Sequence, residues 1–230
     1  MLQKHTDREY ENELATLRER VLLMGAAVEQ TTGFALDAFE RCDLELAQRA
    51  IDNDDRIDQL EVEIDRLCLR ILALRQPVAS DLRFITMSLK VVTDLERGGD
   101  LAVNVGERVV ELGMFPRTAA HDLICRMGSL AQGMLRDALD AFVTGDVLKA
   151  ELVMDRDNTV DSLYEQLFPT LGTLMRLNPD HVESATRLQS IGKYVERLAD
   201  HATNIAELVI FMVRGQDVRH RLDAAQVARR

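Results

Sequence analysis

The sequence predicts an all-α protein built as two tandem three-helix bundles related by internal duplication. Three observations carry this reading. Apolar residues recur at helical spacing along nearly the whole chain. The composition suits helices packed on helices: 47% of residues are hydrophobic, but only 4% are aromatic, Trp is absent and there are four prolines. Finally, the chain is written twice. "ALDAFERCDLELAQRAIDNDDRID" from Ala35 returns as "ALDAFVTGDVLKAELVMDRDNTVD" from Ala138, an offset of 103 residues that carries Asp43, Asp52, Asp54 and Asp58 onto Asp146, Asp155, Asp157 and Asp161. Further on, "LERGGDLAVNVGERV" at 95–109 returns as "VERLADHATNIAELV" at 195–209, an offset of 100. The second copy has therefore lost three residues between the two landmarks.

The elements follow in order. "LATLRERVLLMGAAVEQTTGFALDAFER" has helical spacing and predicts the first helix, closed by a turn near Cys42–Asp43. A second helix is expected from about Leu44 to Leu74, with Ile57, Leu60, Ile64, Leu67 and Ile71 on one stripe. "RQPVASD" breaks it, because Pro77 cannot continue a helix, and Ser80 is the expected N-cap of the next. The third helix carries the first "ERGGD" line and stops at "ELGMFP", where Gly113 and Pro116 separate the halves. The second copy repeats this plan, with "LNPD" as its break and Pro169 expected to kink its second helix. Helices of about 25–35 residues describe an elongated bundle. The expected division is 1–115 for the first bundle, 116–215 for the second and 216–230 for a tail.

Composition removes several function classes. A net charge of −11 lacks the basic footprint that nucleic acid requires, and the arginines of "VRHRLDAAQVARR" read as a short tail. No apolar run reaches the roughly 18 residues that span a bilayer. The charged N-terminus is neither a signal peptide nor an anchor. Cys42, Cys68 and Cys125 share no metal-type spacing and read as reduced thiols without an assigned role.

The repeated acids are the chemically informative feature. Residues i and i+4 lie on one helix face, so Glu96 with Asp100, Glu196 with Asp200, Asp54 with Asp58 and Asp157 with Asp161 each project as a pair. Like charges at this spacing destabilise a helix by a few tenths of a kcal/mol. A bound cation would offset that cost, since hard ions take all-oxygen carboxylate clusters. The plainer reading is a solvated acidic surface, with Arg97 and Arg197 neutralising the Glu residues they follow. A ferritin-like dinuclear enzyme is excluded, because none of the five histidines has Glu three residues before it. There is likewise no Ser/His/Asp grouping, phosphate-binding glycine loop or Cys/His cluster. Gly98 and Gly99 sit inside a helix, at about 1 kcal/mol each relative to Ala, and their expected use is close helix approach. No enzyme is expected.

The tandem "ERxxDxxxN" helices, the "RQPVASDLRFITMSLKVVTDLERGGD" segment and the two preceding Asp-x-x-x-Asp helices resemble the PhoU family, from about Leu14 to Gly215. The resemblance implies a PhoU-like fold and a cytoplasmic negative regulator of phosphate uptake and of the phosphate-starvation response. It implies an adaptor between the phosphate ABC transporter, on its cytoplasmic ATPase side, and a sensor histidine kinase. A homodimer is expected, with membrane association only through those partners. Some family members bind iron or zinc clusters through acidic motifs. Those motifs map here onto Asp54, Asp58, Glu96, Asp100, Asp157, Asp161, Glu196 and Asp200, with magnesium or manganese as further candidate ions. The family's first motif usually has an aliphatic residue before a single Gly, where this chain has Gly98–Gly99. Two alternatives accompany the adaptor reading: a helical scaffold without metal, and a hydrolase using a carboxylate-bound ion.

Overall fold

The computed structural model of the chain describes residues 8–218. Helix accounts for 91% of them, and no strand occurs among the described residues. The first half contains α1 (Arg8–Arg41), α2 (Leu44–Asp52), α3 (Asp54–Arg75) and α4 (Ala79–Leu112). The second contains α5 (Ala119–Thr144), α6 (Val147–Leu177) and α7 (Val182–Arg214), with one 3-10 turn at Pro179–His181. Residues 219–230, which hold most of the arginine-rich tail, lie outside the described residues.

Local chemistry explains most boundaries. Asp43 caps α2, accepting hydrogen bonds from the Glu45 and Leu46 amides at 2.9 and 3.1 Å, and its repeat partner Asp146 caps α6 through the Lys149 amide at 3.0 Å. Each first helix ends in a left-handed residue: Gly145 at φ 68° in the second copy, but Cys42 at φ 54° in the first, where only glycine is free of the Cβ penalty. The three residues lost from the second copy fall in the break before its last helix. Asn178 alone separates α6 from the 3-10 turn, whereas 76–78 precede α4.

Two expectations need correction. The second helix is not continuous: it breaks at Asn53, whose side-chain amide donates to Thr31 Oγ1 on α1 at 2.7 Å. That bond anchors the junction to α1, and the second copy cannot copy it, because Met134 and Arg156 stand in the matching places. Hence α6 runs unbroken where α2 and α3 part. Ser80 is not the N-cap of α4; the helix begins at Ala79, and Val78 occupies the cap position without a side-chain bond. Pro169, where a kink is expected, lies inside α6, and the helix continues past it. It sits on an exposed face, as does Glu165, whose carbonyl loses its amide partner and can be solvated instead.

The packing order places the acids. α1, α4, α5 and α7 form the centre, where α4 packs on α7 and α1 on α5. The α2–α3 pair packs only on α1 and α4, and α6 only on α5, α7 and the 3-10 turn, so they flank the centre as outer helices. The halves meet through reciprocal contacts. A Cβ on Gly25 would lie 2.8 Å from Leu139, and one on Gly128 would lie 2.6 Å from Leu36. Gly128 and Leu139 are the repeat partners of Gly25 and Leu36 at the 103-residue offset. Along α4 and α7 the pattern of buried and exposed positions over 91–100 recurs unchanged over 191–200. The core is continuous across the two halves.

Candidate functional site

Each half sets an outer helix against a central one, and the four acid pairs meet along those two lines of contact. In the first half α3 supplies Asp54 and Asp58, and α4 supplies Glu96 and Asp100. In the second, α6 supplies Asp157 and Asp161, and α7 supplies Glu196 and Asp200. Burial repeats with the sequence: Asp54, Glu96, Asp157 and Glu196 are half-buried, while Asp58, Asp100, Asp161 and Asp200 are exposed. Each pair therefore joins one half-buried residue to one exposed residue.

The close approach at the first face depends on Gly99. A Cβ there would lie 2.8 Å from Ile57 Cδ1, and Ile57 and Gly99 directly precede Asp58 and Asp100. The second copy solves the same contact with the volumes exchanged: Ala199 replaces the glycine and Val160 replaces the isoleucine, and both are fully buried. At Gly98 a Cβ would make only ordinary contact, 3.4 Å from Leu198 of the other half. Close helix approach is thus seen at Gly99, while the approach at Gly98 is an ordinary one.

The carboxylates act on one another across the grooves. In the first half burial raises the pKa of Asp54, with Asp58 and then Asp100 adding repulsion. Glu96 is raised by burial, then by Asp100, Glu61 and Asp58. Asp100 is raised by burial and by Asp58, partly offset by Glu96 at hydrogen-bonding reach. In the second half Asp157 is pushed up to about 6 by burial, followed by Asp161 and Asp200. Glu196 is raised by burial, then by Asp200, Asp161 and Asp157, and Asp200 by burial and by Asp161. Thr203 tempers the shift at Asp157, but without a well-formed bond: Asp157 Oδ1 and Thr203 Oγ1 are both buried and lack a hydrogen-bond partner. The arginines thought to neutralise the faces contribute least to Glu96 and Glu196, and neither Arg97 nor Arg197 forms an ion pair among the described residues.

Sequence reasoning missed Glu61. It joins the first face, raised by burial and then by Asp65, Asp58 and Asp100, but its repeat partner is Tyr164, so the duplication does not mark it. Asn104 and Asn204, the other shared letters of the repeated line, diverge. Asn104 donates to the Asp100 carbonyl at 2.7 Å, whereas Asn204 donates across the halves to Asp94 Oδ1 at 3.2 Å. Asp94 also accepts from His201 Nδ1 at 2.8 Å, which ties α4 to α7.

The faces fit a hard cation in kind. The donors are all carboxylate oxygens, they repel one another, and one buried oxygen on Asp157 is unpartnered. They are not held in ligand geometry: among the described residues no three His, Cys, Asp or Glu side chains are grouped closely enough to hold one ion. Loading would require side-chain rotation.

The PhoU domain model matches this chain twice, over residues 21–109 and 124–209. A protein from Caulobacter vibrioides named phosphate-specific transport system accessory protein PhoU homolog is 41% identical over 216 residues, covering 94% of each chain. A like-named protein from Pseudomonas aeruginosa is 41% identical over 222 residues, covering 95% of this chain and 91% of its own. The crystal structure of PhoU from Pseudomonas aeruginosa superposes with a TM-score of 0.86 at 41% identity, over 90% of this chain and 100% of that one. The phosphate transport system regulatory protein PhoU from Streptococcus pneumoniae gives 0.80 at 30% identity, over 91% and 99%.

Proposed function

This chain belongs to the PhoU family, and from that premise we propose that it is a regulatory accessory protein of phosphate transport. In this reading it restrains phosphate uptake and represses the phosphate-starvation response as an adaptor, not a catalyst. Its partners are the phosphate ABC transporter, met on the cytoplasmic ATPase side, and a sensor histidine kinase. The observation that carries the reading is the likeness over nearly the full length of both chains to proteins named for that transport system. No described helix is long and apolar enough to cross a membrane, which suits attachment through partners. A homodimer is part of the proposal.

The two acidic faces are the proposed metal sites. Asp54, Asp58, Glu96 and Asp100 would hold ions on one, and Asp157, Asp161, Glu196 and Asp200 on the other, with iron, zinc, magnesium and manganese as candidates. A bound cation would neutralise carboxylates that the fold leaves in mutual repulsion. The chain's own part is to hold the acids at two matched places and keep one carboxylate of each pair half-buried.

One strain series tests both levels. Deleting the gene should leave phosphate-starvation reporters active in high phosphate, and the wild-type gene should restore repression. Glu196→Gln with Asp200→Asn should restore it poorly, and that variant, purified without chelators, should carry less metal by elemental analysis. Normal repression in the deletion strain would overturn the regulatory reading. Full complementation with unchanged metal content would leave the faces as solvated surface.

A further inference from the structure

The first half carries a basic groove that the duplication does not explain. It lies between α1 and α3, has a volume of about 480 Å³ and is lined by Thr16, Arg20, Glu63, Arg66, Leu67 and Arg70. Arg20 pairs with Glu63 at 3.2 Å, whereas Arg66 and Arg70 form no ion pair among the described residues. Leu67, only 7% exposed, forms the floor. Three guanidinium groups thus share one carboxylate, in a protein whose net charge is −11.

Three features distinguish this groove from ordinary solvated surface. Arg66 and Arg70 are four residues apart on one helix, a like-charge spacing that costs stability when nothing sits between them. At the repeat offset of 103, Arg20, Arg66 and Arg70 become Leu123, Pro169 and Thr173, so the groove was acquired by one copy or lost from the other, while the acid pairs stayed in both. It also stands apart from the acids: at 100° per residue, Arg66 and Arg70 are turned about 80° and about 120° around α3 from Asp58.

We propose that this groove binds the phosphate group of an anionic ligand. Guanidinium forks match phosphate oxygens, and a tetrahedral phosphate can accept from arginines on two helices at once, whereas a carboxylate offers one planar edge. The Thr16 hydroxyl at the rim supplies a further donor. Free inorganic phosphate and the headgroup of an anionic lipid share this chemistry. The proposal rests neither on the acidic faces nor on the regulatory role.

The test uses the full chain in metal-free buffer, so that no cation bridges phosphate to the acidic faces. Binding of inorganic phosphate is followed by calorimetry, and binding to vesicles of phosphatidylglycerol in phosphatidylcholine by co-sedimentation. Wild type is compared with Arg66→Gln/Arg70→Gln and with Arg126→Gln/Arg176→Gln, which removes the same charge elsewhere. The expected result is binding to at least one probe, weakened tenfold or more by the groove variant and little by the control. Binding in the calorimetric arm assigns a soluble phosphate, and binding in the vesicle arm alone assigns a headgroup. Circular dichroism of the groove variant should match wild type, since both arginines are exposed. Failure of both probes, or equal weakening by the two variants, would overturn the proposal.

Discussion

Burial and like-charged neighbours hold Asp157 well above the ordinary carboxylate range, and its behaviour with pH follows from that. Its pKa is raised from 3.8 to about 6, mainly by burial and then by Asp161 and Asp200. The folded protein therefore holds this proton more tightly than the unfolded chain. Stability attributable to Asp157 falls as pH rises from about 4 to about 6 and stays lost above that. Asp157→Asn should accordingly melt higher than wild type at pH 7, by on the order of 1 kcal/mol once solvent screening is allowed for. The advantage should fade as pH is lowered toward 4. A variant less stable than wild type at pH 7 would contradict the mutual-repulsion account. The pairs themselves were readable before any coordinates, because i,i+4 spacing fixes a shared helix face. Glu61 was not: it lies three residues from Asp58, and Tyr164 takes its place in the second copy.

At the scale of elements, periodicity and punctuation located the helices well where a local signal ends them, as at Asp43, Gly113 and Asn178. The break at Asn53 had no such signal, since its cause is a partner on another helix, Thr31, 22 residues away. Asn53→Ala removes that bond, while Thr31 keeps its own to the Ala27 carbonyl at 2.9 Å. The expected loss is about 0.5–1 kcal/mol, read as a lower denaturant midpoint at unchanged slope. Helical circular dichroism should stay level or rise slightly, because α2 and α3 could then join as α6 does. A stabilised variant would show that the break is a cost of the fold and not an anchor. Pro169 teaches the converse: its ring lies on an exposed face, and solvent can replace the lost bond, so a strong local breaker leaves α6 intact.

For the whole molecule, the duplication was evident in the sequence, but the way the copies meet was not. Apolar stripes say which faces are buried, and they do not say whether a face closes its own bundle or the joint between bundles. The structure assigns much of α4 and α7 to the joint, reinforced by Asp94 with His201 and by Arg187 with Glu111 at 2.6 Å. The 113–118 connection, where the sequence suggests a division at 115/116, joins α4 to α5, yet the core passes from one side to the other without interruption.

The reciprocal Gly25–Leu139 and Gly128–Leu36 contacts obey the rule of an isologous dimer, in which residue i meets j and j meets i. The joint is therefore a dimer interface written into one chain, and 113–118 is the tether that holds its two members at high effective concentration. Assembly of the halves is unimolecular and indifferent to dilution for as long as that tether is whole. Cleavage after Arg117, beside the fully open Met114 at 89% exposure, would return the joint to an ordinary bimolecular equilibrium. In sedimentation velocity the nicked protein should release half-chains on dilution, while the intact chain releases none.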